Sequence, residues 1–380
     1  MDPIHVTDVH RALREQVRRF VDTEVVPNGA GWEAAGRVPR EFHRKLGALG
    51  LLGIRVPQAY GGSGLDAQAS VVMAEELAQS TFGGFTMMTM VHTDMASPHL
   101  IHAGSPAQCA RYLPGVVSGD VFTAIAVTEP DAGSDVQALK TRAVRNGNGW
   151  RLTGRKVFIT NAVHGDLLIV AAVTDPSAKP SRGISMFLVE RTAPGVEVTR
   201  KLDKMGWHCS DTAELTFDNV QLPAEALLGE ENRGFYEIMR NFQNERLIAA
   251  AIYAGEARKA IEITLDYVRT RKAFGATLWD KQAIRQRLAL LSAQVEALRQ
   301  LVYHTAWLDS QGIDCVKEVS MAKAWGGELV NEVVFACQQF HGGFGYMRES
   351  AIERMVRDAR IHTIGGGATE VMLEEVAKRL

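Results

Sequence analysis

Six glycines near the end of the chain stand in two clusters, Gly342, Gly343 and Gly345, then Gly365, Gly366 and Gly367. Glycine lets a backbone approach a ligand closely and adopt positive φ. Between the clusters, residues 351–360 read as a charged helix. A helix framed by glycines in this way suggests that main-chain groups are pressed against a cofactor and a substrate. The other reactive side chains form no comparable set. Cys109, Cys209, Cys315 and Cys337 are far apart and include no CxxC pair, which argues against a disulfide framework or a zinc site and fits a reducing compartment. His92, His164 and His341 lack metal-ligand spacing and read as structural or surface groups, so no metal is expected.

The elements that must position these glycines fall into three blocks. Helical periodicity covers residues 7–28, with Val9, Leu13, Val17, Phe20 and Val21 on one face and Thr7 or Asp8 as cap. Further helices are predicted at 40–50, 67–80, 84–94 and 106–117, with a short extended piece at 51–57 stopped by Pro57. From Gly119 the texture becomes β-rich. Strands are predicted over 121–128, 151–159, 167–173, 184–190, 196–200 and 213–217, with an Asn146-Gly147 hairpin signal and Ile184, Met186 and Leu188 on one strand face. From Gly234 long helices return, over 235–272, 280–310, 314–341 and 349–361. In the second of these, Ile284, Leu288, Leu291, Val295, Leu298 and Val302 make a narrow apolar seam suited to a bundle.

This gives an N-terminal α-helical domain (1–118), a middle β-barrel or sandwich domain (119–229) and a C-terminal four-helix bundle (230–380). Strands segregated from helices disfavour a doubly wound dinucleotide fold. Neither GxGxxG after a strand nor GxxxxGK[ST] is present, so a nucleotide must be held another way. A net charge of −2 over 380 residues gives no electrostatic case for nucleic acid. No apolar run reaches the ~18 residues of a membrane span. Residues 1–5 carry no basic stretch leading into an apolar one, so a cytoplasmic location is expected.

The stretch Ala126-Val127-Thr128-Glu129-Pro130-Asp131-Ala132-Gly133-Ser134-Asp135 resembles the first signature of the acyl-CoA dehydrogenase family. Gln339, Gly342, Gly343, Gly345, Tyr346, Glu349, Arg354 and Asp358 match the second, and Arg271-Lys272-Ala273-Phe274-Gly275 a third hallmark. The resemblance runs over nearly the whole chain in the family's order. It implies FAD bound between the β domain and the bundle, with Ala126, Val127, Thr128, Gly133, Ser134, Phe158 and Thr160 around it. Phe158-Ile159-Thr160-Asn161 stands where the family has Trp-Ile-Thr-Asn, whose aromatic packs on the flavin; the indole N–H is lost here. Read alone, Thr128 and Thr160 are ordinary strand formers. Arg271, Phe274 and Gln282, with Gln339, Gly342 and Gly343, resemble residues that hold the adenine-nucleotide half of a neighbouring subunit's FAD. Ala368, Thr369 and Glu370 match further FAD contacts. A homo-oligomer, a dimer of dimers, is implied.

Family chemistry is α,β-dehydrogenation of an acyl-CoA thioester: a carboxylate takes the α-proton and hydride passes to flavin N5. The carboxylate must be desolvated to approach the basicity this needs. Many members carry it in a Tyr-Glu-Gly-Thr loop, but here the matching stretch is Gly365-Gly366-Gly367-Ala368, and Gly366 can offer only its backbone N–H to the enolate oxygen. Long-chain and isovaleryl-type members place the glutamate on a bundle helix before an arginine. Asn244-Glu245-Arg246 matches, which makes Glu245 the expected base. Ser134, Gln243, Asn244, Arg246, Gly365 and Gly366 are the implied acyl-CoA contacts, and a long or branched acyl chain the implied substrate. Arg246 can equally serve an intrahelical ion pair, and Met87, Met88 and Met90 can floor an acyl pocket or simply fill a helix core. An electron-transfer flavoprotein is the implied acceptor; an acyl-CoA oxidase or flavin monooxygenase on the same fold is the alternative.

Overall fold

The computed structural model describes Pro3 and residues 5–380; the stretch read for a targeting signal lies mostly outside them. Thr7 opens the first helix as its sequence suggests, its backbone N–H donating to Nδ1 of His10 at 3.1 Å. The first third holds α1 (Asp8–Phe20), α2 (Val26–Ala35), α3 (Arg40–Ala48), α4 (Ala67–Ala78), α5 (Gly83–Met90), α6 (Ser97–Ala103) and α7 (Pro106–Ser118). Two π-turns make these helices longer than their periodicity implies. Val21–Val25 joins α1 to α2, and Val91–Ala96 joins α5 to α6. A π-turn shifts the helical face by an extra residue, which breaks a 3.6-residue pattern without ending the helix. The piece expected to be extended at 51–57 begins instead as a 3-10 turn, Leu51–Gly53. Leu51 and Leu52 are both buried, and consecutive side chains of a strand would point to opposite faces.

The middle third is one mixed eight-stranded sheet. It holds β1 (Thr123–Ala126), β2 (Arg142–Asn146), β3 (Gly149–Thr160), β4 (Leu167–Val173), β5 (Ile184–Glu190), β6 (Val196–Lys201), β7 (Thr212–Leu222) and β8 (Leu227–Leu228). Their order is β6-β7-β3-β2-β4-β5-β8, with β1 parallel to β4. Asn146 pairs with Gly149 across the anticipated tight hairpin, where Gly147 adopts φ +57°. The expected one-sided burial of β5 is only half of what forms. Ile184, Met186 and Leu188 pack toward Leu100, Leu113 and Ile238 of the helical layers. Phe187 and Val189, on the other face, join Trp150, Leu215 and Phe217 in a second core inside the curled sheet. β5 separates two cores, so it reads as a continuous apolar run rather than an alternating one.

The last third comprises α8 (Gly234–Thr270), a small hairpin of β9 (Lys272–Ala273) and β10 (Ala276–Thr277), then α9 (Gln282–Ser310), α10 (Val316–His341), α11 (Ala351–Ala359) and α12 (Thr369–Ala377). The α9 seam is buried from Leu288 through Val302. Three helices are long. The predicted fourth, 349–361, is the short α11 followed by a 3-10 turn, Arg360–Thr363, and α12 was not anticipated. α4 of the first third packs directly on α8: a Cβ at Gly255 would lie 2.3 Å from the Glu75 carbonyl oxygen, so only glycine permits the approach.

The charged helix between the glycine clusters is a joint. Arg354 donates from Nε to the Thr81 carbonyl at 2.8 Å and stacks on Phe82. Asp358 is buried and accepts the Gly83 N–H at 3.2 Å and the Trp207 N–H at 2.7 Å, tying α11 to the N-terminal helices and to a loop of the β layer. Among the described residues, no helix is long and apolar enough to cross a membrane, and no group of three metal-ligating side chains occurs. All four cysteines are free and buried.

Candidate active site

Glu245 lies in the first half of α8, where the helix passes the π-turn between α5 and α6. The turn's irregular backbone leaves carbonyls for side chains of α8 to claim. Asn241 Nδ2 donates to the Met95 carbonyl at 2.8 Å and to Glu245 Oε1 at 2.9 Å. Asn244 Nδ2 donates to the Asp94 carbonyl at 2.7 Å, and its Oδ1 accepts from Arg55 at 2.6 Å. Both ends of the Asn244 amide are therefore engaged by protein. Its place is that of an anchor, in contrast to the substrate contact expected of it. Glu245 is partly accessible but crowded by protein, and desolvation pushes its carboxyl up to about 7, against the opposing pull of the Asn241 hydrogen bond and the Arg246 charge. Asn241 was missed by the sequence reading. Its position one turn before Glu245 was the available signal.

The second glycine cluster comes alongside. A Cβ at Gly367 would sit 3.7 Å from Arg246 Nε, so the loop and the residue after Glu245 are neighbours. Gly366 has φ +65° and Gly367 φ +104°, conformations that glycine adopts freely. A Cβ added at Gly366 would meet nothing within 4 Å. Lys323 of α10 donates to the carbonyls of His362, at 3.1 Å, and of Gly367. Three buried polar atoms here have no protein partner: Gln243 Oε1, Arg246 Nε and Thr369 Oγ1. Arg246 thus makes no intrahelical ion pair with Glu245 and lies over the Phe242 ring.

On the β side, the first signature forms the turn after β1. Ala126 is in the sheet's inner core, so its side chain is withdrawn from any cofactor and only its backbone remains. The Val127 carbonyl accepts from Lys156 at 2.8 Å, and its side chain packs in the other core. Thr128 is partly accessible, and Gly133 and Ser134 are exposed. Beneath them Lys156, with no exposed surface, also binds Glu129 Oε1 at 2.8 Å, while Glu129 accepts the N–H groups of Lys140 and Thr141. Burial would raise the Glu129 carboxyl, but Lys156 and these donors hold it below its ordinary value. Opposite, β3 has a bulge between Lys156 and Ile159. It carries Phe158 at φ +61° with the residue 67% exposed, and brings Thr160 alongside. A bulge re-aims a side chain, and a strained, exposed aromatic is what a planar ring ligand would cover. Met87, Met88 and Met90 are helix core, packed with Phe85 and Leu77.

The remaining predicted residues gather elsewhere. Arg271 closes α8 about seven turns, or about 39 Å, beyond Glu245. Tyr267 stacks on His341 at 4.3 Å, bringing the end of α8 to the first glycine cluster. Phe274 tips the β9–β10 hairpin with φ +52° and is 98% exposed; Gln282, Gln339, Gly342 and Gly343 are exposed too. Within one chain these six cannot join the group around Glu245. His341 is a structural group beneath them, its ring within 3.2 Å of the Thr264 hydroxyl. His92 is likewise structural, buried between Thr123 and the Val116 carbonyl.

Sequence models of the acyl-CoA dehydrogenase N-terminal, middle and C-terminal domains match residues 7–120, 124–220 and 232–380. The chain belongs to the acyl-CoA dehydrogenase family and is an oxidoreductase acting on CH–CH bonds. It is 43% identical to the mitochondrial long-chain specific acyl-CoA dehydrogenase of Mus musculus, over 98% of this chain and 86% of that protein. The crystal structure of an acyl-CoA dehydrogenase from Geobacillus kaustophilus superposes with a TM-score of 0.95 at 39% identity, covering 100% and 99% of the two chains. A Mycobacterium smegmatis glutaryl-CoA dehydrogenase in complex with FADH2 matches at 28% identity and TM-score 0.92, over 98% and 95%. FAD is the family's cofactor, and the residues present fit it: Phe158 offers an uncovered ring, Thr128 and Thr160 partly accessible hydroxyls, and Thr369 an unpartnered one.

Proposed function

We propose that this chain dehydrogenates a long or branched acyl-CoA thioester to its trans-2-enoyl-CoA, with Glu245 as the base. The observation that carries the reading is a single desolvated carboxyl, raised to about 7, on the helix beside a glycine loop whose residue 366 has no side chain to supply a base. A carboxyl so raised is a better proton acceptor at neutral pH than an exposed one. Glu245 takes the α-proton and Asn241 holds its Oε1 in place. The N–H of Gly366 receives the developing negative charge on the thioester oxygen. Gln243, Arg246 and Ser134 orient the acyl-CoA. FAD, held by Thr128, Phe158, Thr160, Thr369 and Glu370, supplies the acceptor for the β-hydride. The adenine-nucleotide half is held by Arg271, Phe274, Gln282, Gln339, Gly342 and Gly343 of a second copy, so the working unit is a homo-oligomer, a dimer of dimers. The electrons would leave to an electron-transfer flavoprotein. Two features support the substrate class: the open space at Gly366, and the name of the mouse relative.

The test is anaerobic mixing of purified Glu245→Gln with a saturated long-chain acyl-CoA. The variant is expected to keep its flavin yet lose bleaching of the flavin band by about 10³-fold or more, the scale on which removing a catalytic group acts. Bleaching at the wild-type rate would remove Glu245 from the reaction. Graded acyl chain lengths and branching, assayed on the wild type, test the substrate class.

A further inference from the structure

Lys323 lies on α10, fully buried. An ammonium taken out of water is costly unless strongly partnered. No carboxylate oxygen lies within 4.0 Å of it among the described residues; it is held by the carbonyls of His362 and Gly367. Those two carbonyls bracket residues 363–366, the segment that ends in Gly366. The near end is pinned twice more: Tyr253 donates its hydroxyl to the His362 carbonyl at 3.2 Å, and the His362 ring meets Glu256 at 2.7 Å. At the far end Lys323 is the side chain that holds the Gly367 carbonyl. One turn along α10, Gly327 lets the helix backbone come close, since a Cβ there would sit 2.9 Å from the His362 carbonyl oxygen. Burial lowers the ammonium to about 8, and the neighbouring Arg246 charge adds to this, so it remains a donor at neutral pH and on either side of its titration.

We propose that Lys323 is a positioning residue for the reaction: by tying the carbonyls of His362 and Gly367, on either side of residues 363–366, to α10, it fixes the direction of the Gly366 N–H. The inference rests on the role proposed above for Gly366. A donor aimed in advance at the developing oxyanion costs no reorganisation when charge forms, whereas a loose one must be oriented first. Lys323 itself touches neither substrate nor cofactor; its effect is carried by the main chain.

The experiment uses the flavin-loaded enzyme and Lys323→Met, which keeps the length and loses the donors, with Lys323→Gln as a second variant able to hold one carbonyl. Two acyl-CoA ligands separate binding from charge stabilisation. A 2-enoyl-CoA product reports binding. A 3-thia-acyl-CoA, which loses its α-proton but passes no hydride on, reports the enolate through its long-wavelength absorbance beside oxidised flavin. Lys323→Met is expected to ionise the 3-thia ligand and turn over substrate about 10- to 100-fold less well, with KM and product affinity within about threefold of wild type. Lys323→Gln should fall between, and amide hydrogen exchange in residues 363–368 should speed up in the same order. Ionisation and exchange at wild-type levels in Lys323→Met overturn the role of Lys323. So does an equal loss of product and 3-thia binding, or failure of both variants to hold flavin, since either assigns the lysine to stability alone. A wild-type enzyme that binds the 3-thia ligand without ionising it overturns the functional reading first, and this one with it.

Discussion

The carboxyl of Glu245 is set by burial on one side and by Asn241 and the Arg246 charge on the other. Desolvation raises the carboxyl; the Asn241 donor, 2.9 Å away, favours the ionised form and limits the rise. Asn241→Ala removes only the second. The folded-enzyme pKa then moves further above about 7. Since the base must be ionised, the rising acid limb of kcat/KM should shift upward by about one pH unit, the size of a hydrogen bond to a charged group. Activity near pH 6.5 should fall by about tenfold and recover at high pH. A loss equal at all pH values would mean that Asn241 acts on geometry alone. The residues of this site were unequally visible in the sequence. Glu245 stood out through its Asn-Glu-Arg context and the missing carboxylate at 366. Asn241 could have been found only from its place one turn before Glu245, while Arg55 and Lys323 were invisible because their partners are another side chain's amide and main-chain carbonyls, which leave no pattern of residue types.

At the level of elements, the strands and long helices were legible wherever one face is buried and the other is not. The seam of α9 follows from that rule, whereas β4 and β5 were legible as short, continuous apolar runs. The π-turns, the two-sided burial of β5 and the short α11 were not legible, because each depends on what packs from outside the segment. The turn after β1 shows the same dependence. Its shape rests on the Lys156–Glu129 pair, and one of the pair's bonds runs to the Val127 carbonyl beside Thr128. Lys156→Met would leave the Glu129 carboxylate buried with backbone donors but no counter-charge. A loss of about 3–5 kcal/mol is expected, because breaking a buried pair from one side strands the other charge. It would be read as a lower urea midpoint of the flavin-loaded protein. The double variant Lys156→Met with Glu129→Gln should regain much of it; no recovery would mean that the lysine acts by packing.

Across the whole molecule, the proposed function divides the predicted residues of one chain into two groups, one around Glu245 and one at the far end of α8, to be joined by a second copy. Phe274 at 98% exposure on a strained turn is poorly explained by a monomer. Phe274→Asp should weaken assembly and, through it, flavin retention. Light scattering is expected to show smaller particles, with the flavin-to-protein absorbance ratio falling alongside; full flavin in a monomer would separate cofactor binding from assembly. Tertiary ties hold the chain together in a further way. The carboxyl of Asp358, raised to about 7 chiefly by burial, receives main-chain N–H groups from both the N-terminal helices and the β layer while standing on a C-terminal helix. No one of the three parts can leave without exposing that carboxyl and orphaning donors in another. Melting is thereby expected to be collective: the chain has three layers of architecture, but a joint of this kind should give them one calorimetric transition.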